Sequence, residues 1–499
     1  MRSSVCRRSF LGGIAGFGAM PQLAHGAVPH FGKERLRIGV FSDLHLYTEK
    51  EIPRIVRTLR KFDEWKVDGV LGGSDLTEYG LVQQLRLVAK AWFEVFPDGR
   101  APDGRPVANL MHYGDHDIAS WYVDRPIARS LCPDDAARRA SLIFPPENRK
   151  RFWEECFREP YEPITVKTVK GYTFVLSHFT RGEPGNRGGN SVPGLEKVFA
   201  SLNIDRKMPF FYSQHRIPRG TVGGVDIWGQ DDGQTTALFS KYPNLVAFSG
   251  HCHMNAANEK MIWQGAFTGI EIPSNAYCVT SAGRENGYCL NDRPPISPVL
   301  PSKCMKEVRS DGCAQCMLMT VYDEAIALRR WEVFADAPLG PDWIIPLASF
   351  GQSAEARPFA YENRARVSVA PQFPDGAEVR VSGFAKGRRR DGSEVDMLTV
   401  EFPTAPAVGE RLRADDYSVA LELKQFDCTR VFLEKRVYSP DCYKAAELDK
   451  GPVRCLFAAD EIPAGWQLRF TVRPVNVWGR RGEPISSEWK VLRKDVKQS

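Results

Sequence analysis

Aspartate and histidine recur in this chain where short apolar runs stop. Asp43 and His45 follow the run Arg37–Phe41, and Asp75 follows Val67–Leu71. Asp115, His116 and Asp117 follow Val107–Met111, His215 follows Met208–Tyr212, and His251 and His253 follow Asn244–Phe248. Each has an ordinary explanation alone: Asp75 as a helix cap, His215 as a buried hydrogen-bonded ring, His251 and His253 as alternating strand residues. Together they form a donor set of carboxylate oxygens and imidazole nitrogens, which suits borderline divalent or trivalent ions such as Zn, Mn or Fe. Bridging carboxylates can hold two such ions about 3.5–4 Å apart, the spacing of a two-metal clamp on a displaced oxygen.

The elements needed to gather these residues are present in order. Apolar runs rich in β-branched and aromatic residues read as buried parallel strands. Between the first two, Ile52, Ile55, Val56, Leu59, Phe62 and Trp65 fall at helical spacing, with Pro53 in the first turn. Leu85, Val88, Ala91, Trp92 and Val95 repeat the pattern before the third. Alternating strand and helix predicts parallel pairing with right-handed crossovers, so the strand ends share one edge, where ligands of α/β sheets bind. Residues 120–165 read as an insertion with a helix at Asn148–Phe157, followed by a strand at Tyr172–Leu176 and a helix at Leu195–Leu202. His178 also follows a strand and reads as a structural ring. From about residue 350 the texture becomes alternating: Ala377–Phe384, Met397–Phe402, Tyr417–Leu423 and Trp466–Val477 read as strands of an all-β sandwich. Arg388–Gly392 reads as a solvated hairpin tip.

At 499 residues the chain is too long for one core. Lys+Arg 67 against Asp+Glu 61 is near balance once Arg2, Arg7 and Arg8 of the first stretch are set aside. That excludes a specific nucleic-acid patch, and no segment approaches a membrane span. Arg7-Arg8-Ser9-Phe10-Leu11, a weakly apolar Gly-rich stretch and small residues at Ala24–Ala27 resemble a twin-arginine signal, which implies export to the periplasm or beyond. Of the 12 cysteines, Cys278, Cys289, Cys304, Cys313 and Cys316 cluster in one loop-rich region. In an exported chain, disulfides or inert thiols are expected there ahead of a zinc site at Cys313 and Cys316.

The ordered set Asp43-x-His45, Asp75-Leu76-Thr77-Glu78, Gly114-Asp115-His116-Asp117, His215-x-x-Pro218 and Gly250-His251-Cys252-His253 resembles the calcineurin-like metallophosphoesterases over residues 35–350. The resemblance implies a four-layer α/β/β/α sandwich with a dinuclear metal centre. Asp43, His45 and His253 would hold one ion, Asp75 would bridge, and Asp115, His215 and His251 would complete the other. His116 would assist the leaving oxygen, Glu78 would orient it, and Asp117 would support the shell. The family carries Gly where Ser74 stands, a change expected to need a negative φ, and Asn where Asp115 stands. A carboxylate is acceptor-only, so Asp115 is expected to bind metal well and to repel anions, and Asp115→Asn to raise turnover.

The resulting map is a signal peptide at 1–27, a metallophosphoesterase-like unit at 34–350, a linker at 351–365 and a β-sandwich at 366–495. The sandwich's last strands, around Leu468–Gly479, resemble a fibronectin type III domain, for which surface or glycan attachment is the expected role. The expected activity is hydrolysis of phosphodiesters in a small-molecule or polymeric substrate. Phosphomonoesters, or a silent binding protein that uses metals for its fold, remain the alternatives.

Overall fold

A computed structural model describes residues 31–118, 123–180, 192–224, 227–279, 284–285, 314–389, 393–408, 412–442 and 451–492. The segment 1–27 and Cys289, Cys304 and Cys313 lie outside these residues, as does the tip at 390–392.

The chain begins with β1 (Glu34–Phe41), α1 (Ile52–Glu64), β2 (Gly69–Gly72), α2 (Val82–Val95) and β3 (Ala108–Met111). The helices α3 (Asp115–Ile118), α4 (Pro126–Leu131), α5 (Asp135–Ala140) and α6 (Pro146–Phe157) follow. Then come β4 (Ile164–Val169), β5 (Tyr172–Ser177), α7 (Val192–Ser201), β6 (Phe210–Gln214), α8 (Gln234–Phe239), β7 (Leu245–Ser249), β8 (Ile262–Gln264) and β9 (Thr268–Glu271). The first unit closes with β10 (Gln315–Tyr322), β11 (Ala325–Glu332), β12 (Ala337–Pro338) and β13 (Trp343–Pro346).

These strands form two sheets. The seven-stranded sheet runs β12-β11-β10-β1-β2-β3, with β13 also on β11, and the six-stranded one runs β4-β5-β6-β7-β9-β8. As expected, β1, β2 and β3 are parallel neighbours, in register Val40↔Leu71 and Leu71↔Leu110. The other flank of β1 pairs antiparallel with β10, more than 270 residues further along the chain, at Ile38↔Met319. In the second sheet β5, β6, β7 and β9 are parallel.

Side-chain alternation assigns each face. Ile38, Val40, Leu71 and Leu110 of the first sheet meet Phe174, Phe211, Val246, Phe248 and Ile270 of the second in one buried layer. The opposite face of the first sheet, with Phe41 and Val70, packs on Leu59, Phe62, Leu85, Val88 and Phe152 of α1, α2 and α6. On the outside of the second sheet, Val175, Tyr212 and Ala247 pack on Leu195, Phe199, Leu238 and Phe239 of α7 and α8. The unit is therefore a four-layer α/β/β/α sandwich. Close approach of α1 depends on Gly39, where a Cβ would sit 2.5 Å from the Phe62 ring.

The remainder holds α9 (Tyr361–Val367), β14 (Arg380–Val381), β15 (Ala385–Arg388), β16 (Glu394–Phe402), β17 (Asp416–Gln425), β18 (Cys428–Tyr438), β19 (Val453–Ala458), β20 (Gln467–Val475), β21 (Ile485–Ser486) and β22 (Lys490–Val491). One sheet has β16 between β19 and the pair β14 and β15; the other runs β18-β17-β20-β21, with β22 also on β20. Leu398, Val400, Tyr417, Leu421, Phe457, Phe470 and Val472 fill the space between. Of the single strand expected at Ala377–Phe384 only Arg380–Val381 forms, and beyond it the Ser382 hydroxyl accepts from Thr399 N–H at 3.0 Å. The strand expected from Met208 begins at Phe210.

The sandwich is tied to the first unit by buried charge. Glu259 accepts from Arg330 at 2.8 Å, from Arg364 of α9 at 2.6 Å and from Trp343 Nε1 at 2.9 Å. Burial would raise the Glu259 carboxyl, but Arg330, Arg364 and Arg413 outweigh it and hold the group well below its usual range. A second tie joins Arg284 to Asp416 of β17 at 2.6 Å, with Arg436 of β18 on the same carboxylate.

Candidate metal centre

The loops that follow the carboxyl ends of β1, β2 and β3 and those of β6 and β7 meet at one edge of the two sheets. These loops are laced together: Asp43 N–H donates to Ser74 C=O at 2.9 Å, His45 N–H to Asp75 C=O at 2.9 Å, and Gly250 N–H to His215 C=O at 2.9 Å. To aim the side chains inward, the backbone turns left-handed at Asp43 (φ 51°), His45 (φ 40°), Ser74 (φ 90°), Asp75 (φ 47°), His251 (φ 76°) and His253 (φ 56°). Asp and His are among the non-glycine residues that best tolerate this region. Ser74 departs from the expected negative φ, because the chain must reverse there to place Asp75 where these loops meet.

Every expected ligand converges. Asp43, His45, Asp75 and His253 form one quartet, Asp75, Asp115, His215 and His251 another, and within each the candidate ligand atoms lie within 4.8 Å of one another. In the first, His253 Nε2 is 3.0 Å from Asp43 Oδ1 and His45 Nε2 is 3.6 Å from Asp75 Oδ2. In the second, His215 Nε2 lies 3.3 Å from both Asp75 Oδ2 and Asp115 Oδ1, and His251 Nδ1 lies 3.6 Å from Asp115 Oδ2. Asp75 Oδ2 thus faces both quartets, and it is buried without a well-formed hydrogen bond. A buried carboxylate oxygen that meets only imidazole nitrogens, here at 3.3 and 3.6 Å, is disfavoured unless a cation meets it. The residues present fit a metal pair that shares this atom.

The imidazoles are oriented from behind. His45 Nδ1 is 2.6 Å from Glu78 Oε2, His253 Nδ1 is 3.2 Å from Tyr277 C=O, and His215 Nδ1 is 2.6 Å from the Ser74 hydroxyl. In each ring, the outer nitrogen is engaged and Nε2 is presented to the quartet, the arrangement that fixes a metal-binding tautomer. The charges are balanced in the same way. Burial would raise Asp43, yet His253, His215 and Ser42 bring it down to about 2. Asp115 is likewise held well below its usual range, by His215 and His251 against the cost of burial. Burial would lower His215, but Asp75 and Asp115 raise it well above an ordinary imidazole, whereas burial dominates at His251 and takes it to about 3.

The three remaining expected site residues lie around the quartets. His116 is in neither; its Nδ1 is 3.0 Å from Glu78 C=O and 3.6 Å from Glu78 Oε2. Glu78 therefore contacts both His45 and His116, closer to the former than expected. Asp117 accepts from Gly114 N–H at 2.7 Å, Thr77 N–H at 2.7 Å and Leu76 N–H at 3.1 Å, so it joins the loops that carry Asp75 and Asp115. Burial and neighbouring Asp75 push Asp117 up to about 7 despite those donors. His178 is a structural ring, packed against Trp153 and Tyr161, its Nδ1 accepting from Tyr113 N–H at 3.1 Å. Buried Cys316 and Cys278 are free thiols, and burial raises Cys316 well above its ordinary value.

Sequence patterns did not single out Ser74 as a partner of His215, Arg216, Trp228 or Tyr277. Arg216 Nη2 lies 3.4 Å from Asp115 Oδ2, and the Trp228 ring, 55% exposed, stands 5.0 Å from that of His251. The basic residue directly after a candidate ligand was the one available signal. No helix among the described residues is long and apolar enough to cross a membrane.

No family model and no curated protein matches this sequence. Among solved structures, the chain is similar to a dimetal phosphatase from Danio rerio, with 10% identity over 63% of this chain and 100% of that one, at a TM-score of 0.37. It is also similar to a purple acid phosphatase from yellow lupin seeds, with 14% identity over 64% of this chain and 55% of that one, at a TM-score of 0.38. A predicted phosphoesterase from Streptococcus pneumoniae has 10% identity over 62% of this chain and 97% of that one, at a TM-score of 0.25.

Proposed function

We propose that this chain is an exported phosphoester hydrolase with a dinuclear metal centre, acting first on phosphodiesters. The observation that carries the reading is Asp75 Oδ2, a buried oxygen that both quartets share and that makes no well-formed hydrogen bond. Asp43, His45, His253 and Asp75 would hold one ion, and Asp75, Asp115, His215 and His251 the other. When bound, such a pair supplies Lewis acidity and a water of lowered pKa.

The chain's own residues supply the rest. Asp43, His45, Asp75 and His215 are almost wholly buried, whereas the side chains of His116 and His251 are 13% and 14% exposed, so substrate enters on their side. Glu78 engages Nδ1 of His116 through its backbone carbonyl at 3.0 Å, which fixes the ring on the more exposed side of the centre. There it protonates the leaving oxygen as the ester bond breaks. Asp117 keeps the two ligand loops in register. Asp115 adds negative charge where an amide would donate, which favours a singly charged diester over a doubly charged monoester. The strand order of the C-terminal sandwich supports the fibronectin type III-like reading, and the Arg7-Arg8 motif supports export.

The test combines metal analysis of the purified protein with hydrolysis of matched chromogenic mono- and diesters by wild type and His116→Ala. We expect two ions per chain, faster diester turnover, and a loss of about 10²-fold or more in kcat for the variant. Metal-replete wild type inactive on both esters would instead favour a binding protein whose metals serve the fold.

A further inference from the structure

We infer that Arg216 is a substrate-phosphoryl clamp paired with Asp115, restoring the donor that a carboxylate at that position cannot offer. The inference rests on the hydrolase reading above, and it adds a residue that the motif set does not contain.

The positions of the two side chains carry it. Asp115 presents Oδ1 to His215 at 3.3 Å and Oδ2 to Arg216 Nη2 at 3.4 Å. Oδ1 therefore faces His215 of the second quartet, while Oδ2 is shared between the guanidinium and His251 Nδ1 at 3.6 Å. Arg216 directly follows His215, so whatever positions that ring also positions the arginine. Its backbone is pinned, since Gln214 Nε2 donates to its carbonyl at 2.5 Å, and its guanidinium lies 5.3 Å over the Phe179 ring. A guanidinium held over an aromatic face loses less freedom when it bonds an oxyanion than one extended into solvent. Its Nε is buried and has no acceptor.

Exposure shows which way the group faces. The Arg216 side chain is 28% exposed against 4% for Asp115, and it shares Asp115 Oδ2 with His251, whose side chain is 14% exposed. A phosphoryl group seated over the second quartet therefore meets a fixed cation beside Asp115. The pair is neutral overall, so the carboxylate's repulsion of an anion is offset locally. A neutral pair with N–H donors suits one phosphoryl oxygen of a diester, and charge-assisted bonds of this kind are the strong ones. No covalent step is assigned to Arg216.

The experiment uses the full-length, manganese-loaded protein as wild type, Arg216→Ala, Arg216→Gln, Asp115→Asn, and each arginine variant combined with Asp115→Asn. Bound metal, affinity for inorganic phosphate by calorimetry, and KM and kcat for a chromogenic diester are measured on all six. We expect both arginine variants to keep the wild-type metal content, to weaken phosphate binding about tenfold and to raise KM similarly. With Asn at 115 the same arginine changes should cost less than about threefold, because the amide supplies a donor. An equal loss in both backgrounds would overturn the pairing, and so would a loss fully restored by excess manganese, since Arg216 would then merely hold Asp115 in place. If the wild type cleaves no ester yet binds phosphate in an Arg216-dependent way, the hydrolase reading fails and the anion-binding role stands.

Discussion

The Ser74 hydroxyl lies 2.6 Å from Nδ1 of His215, and the residue that provides it sits at φ 90°, where a side chain is strained. A glycine would relax the backbone at this point and would leave the imidazole without its partner. The two effects have opposite signs, which makes them separable. Ser74→Gly should raise the thermal midpoint of the metal-free protein and weaken metal binding at the second quartet by about 10–100-fold. Ser74→Ala keeps the strain and loses the bond, so it should be less stable than Ser74→Gly by about 1 kcal/mol. Calorimetry on the chelated protein and metal titration of all three forms provide the check.

Glu78 divides its carboxylate between a candidate ligand and a candidate acid, at 2.6 Å from His45 and 3.6 Å from His116. Glu78→Gln should therefore lower metal affinity and kcat together. His116→Ala should lower kcat alone, leaving bound metal unchanged. If Glu78→Gln leaves metal content and affinity intact, the contact with His45 is incidental.

Far from the centre, Glu332 of β11 is buried and accepts from Ala314 N–H at 3.3 Å and Phe334 N–H at 2.9 Å. Burial pushes its carboxyl up to about 7. Because the folded value exceeds the unfolded one, the native state holds the proton longer. Stability is therefore unaffected by this group below about pH 4.5 and falls as pH rises toward 7. Above pH 7 the cost is constant, on the order of 3 kcal/mol. Glu332→Gln keeps the acceptor and removes the charge, so its thermal midpoint should exceed that of the wild type at pH 8 and match it near pH 4.5. Midpoints that differ equally at both pH values would refute this assignment.

Asp416 joins β17 to Arg284 and Arg436, with its own side chain 1% exposed and those of the arginines 15% and 42% exposed. Asp416→Ala leaves two cations facing a buried gap. Partial solvation of the arginines limits the loss, which should be on the order of 2 kcal/mol in a denaturant titration. A change below about 0.5 kcal/mol would show that the sandwich is held mainly by the Glu259 cluster.

Most of the centre could be read in advance for a specific reason. Each ligand follows a strand whose buried faces demand a continuous apolar run, so the break to Asp or His is conspicuous at Phe41, Gly72 and Ser249. What could not be read depends on relations that spacing does not encode. The antiparallel pairing of β1 with β10 is non-local, and no local pattern announces it. Strand β18 lies at a sheet edge with residues exposed along much of its length, so no apolar alternation marked it. The left-handed φ at Ser74 and the placement of Arg216 beside Asp115 arise only when separate loops are brought together. Spacing marks Ser74 as the residue before Asp75, but the contact of its hydroxyl with His215 is made between loops far apart in the chain.

The left-handed turns at Asp43, His45, Ser74, Asp75, His251 and His253 also bear on how this protein can be improved. At each of them glycine is the conformationally relaxed choice, so a screen that rewards heat resistance alone will favour it. At Asp43, His45, Asp75, His251 and His253 that replacement deletes a candidate ligand. Directed evolution for robustness would thus drift toward hardier chains with an emptied centre, unless every round also selects for turnover.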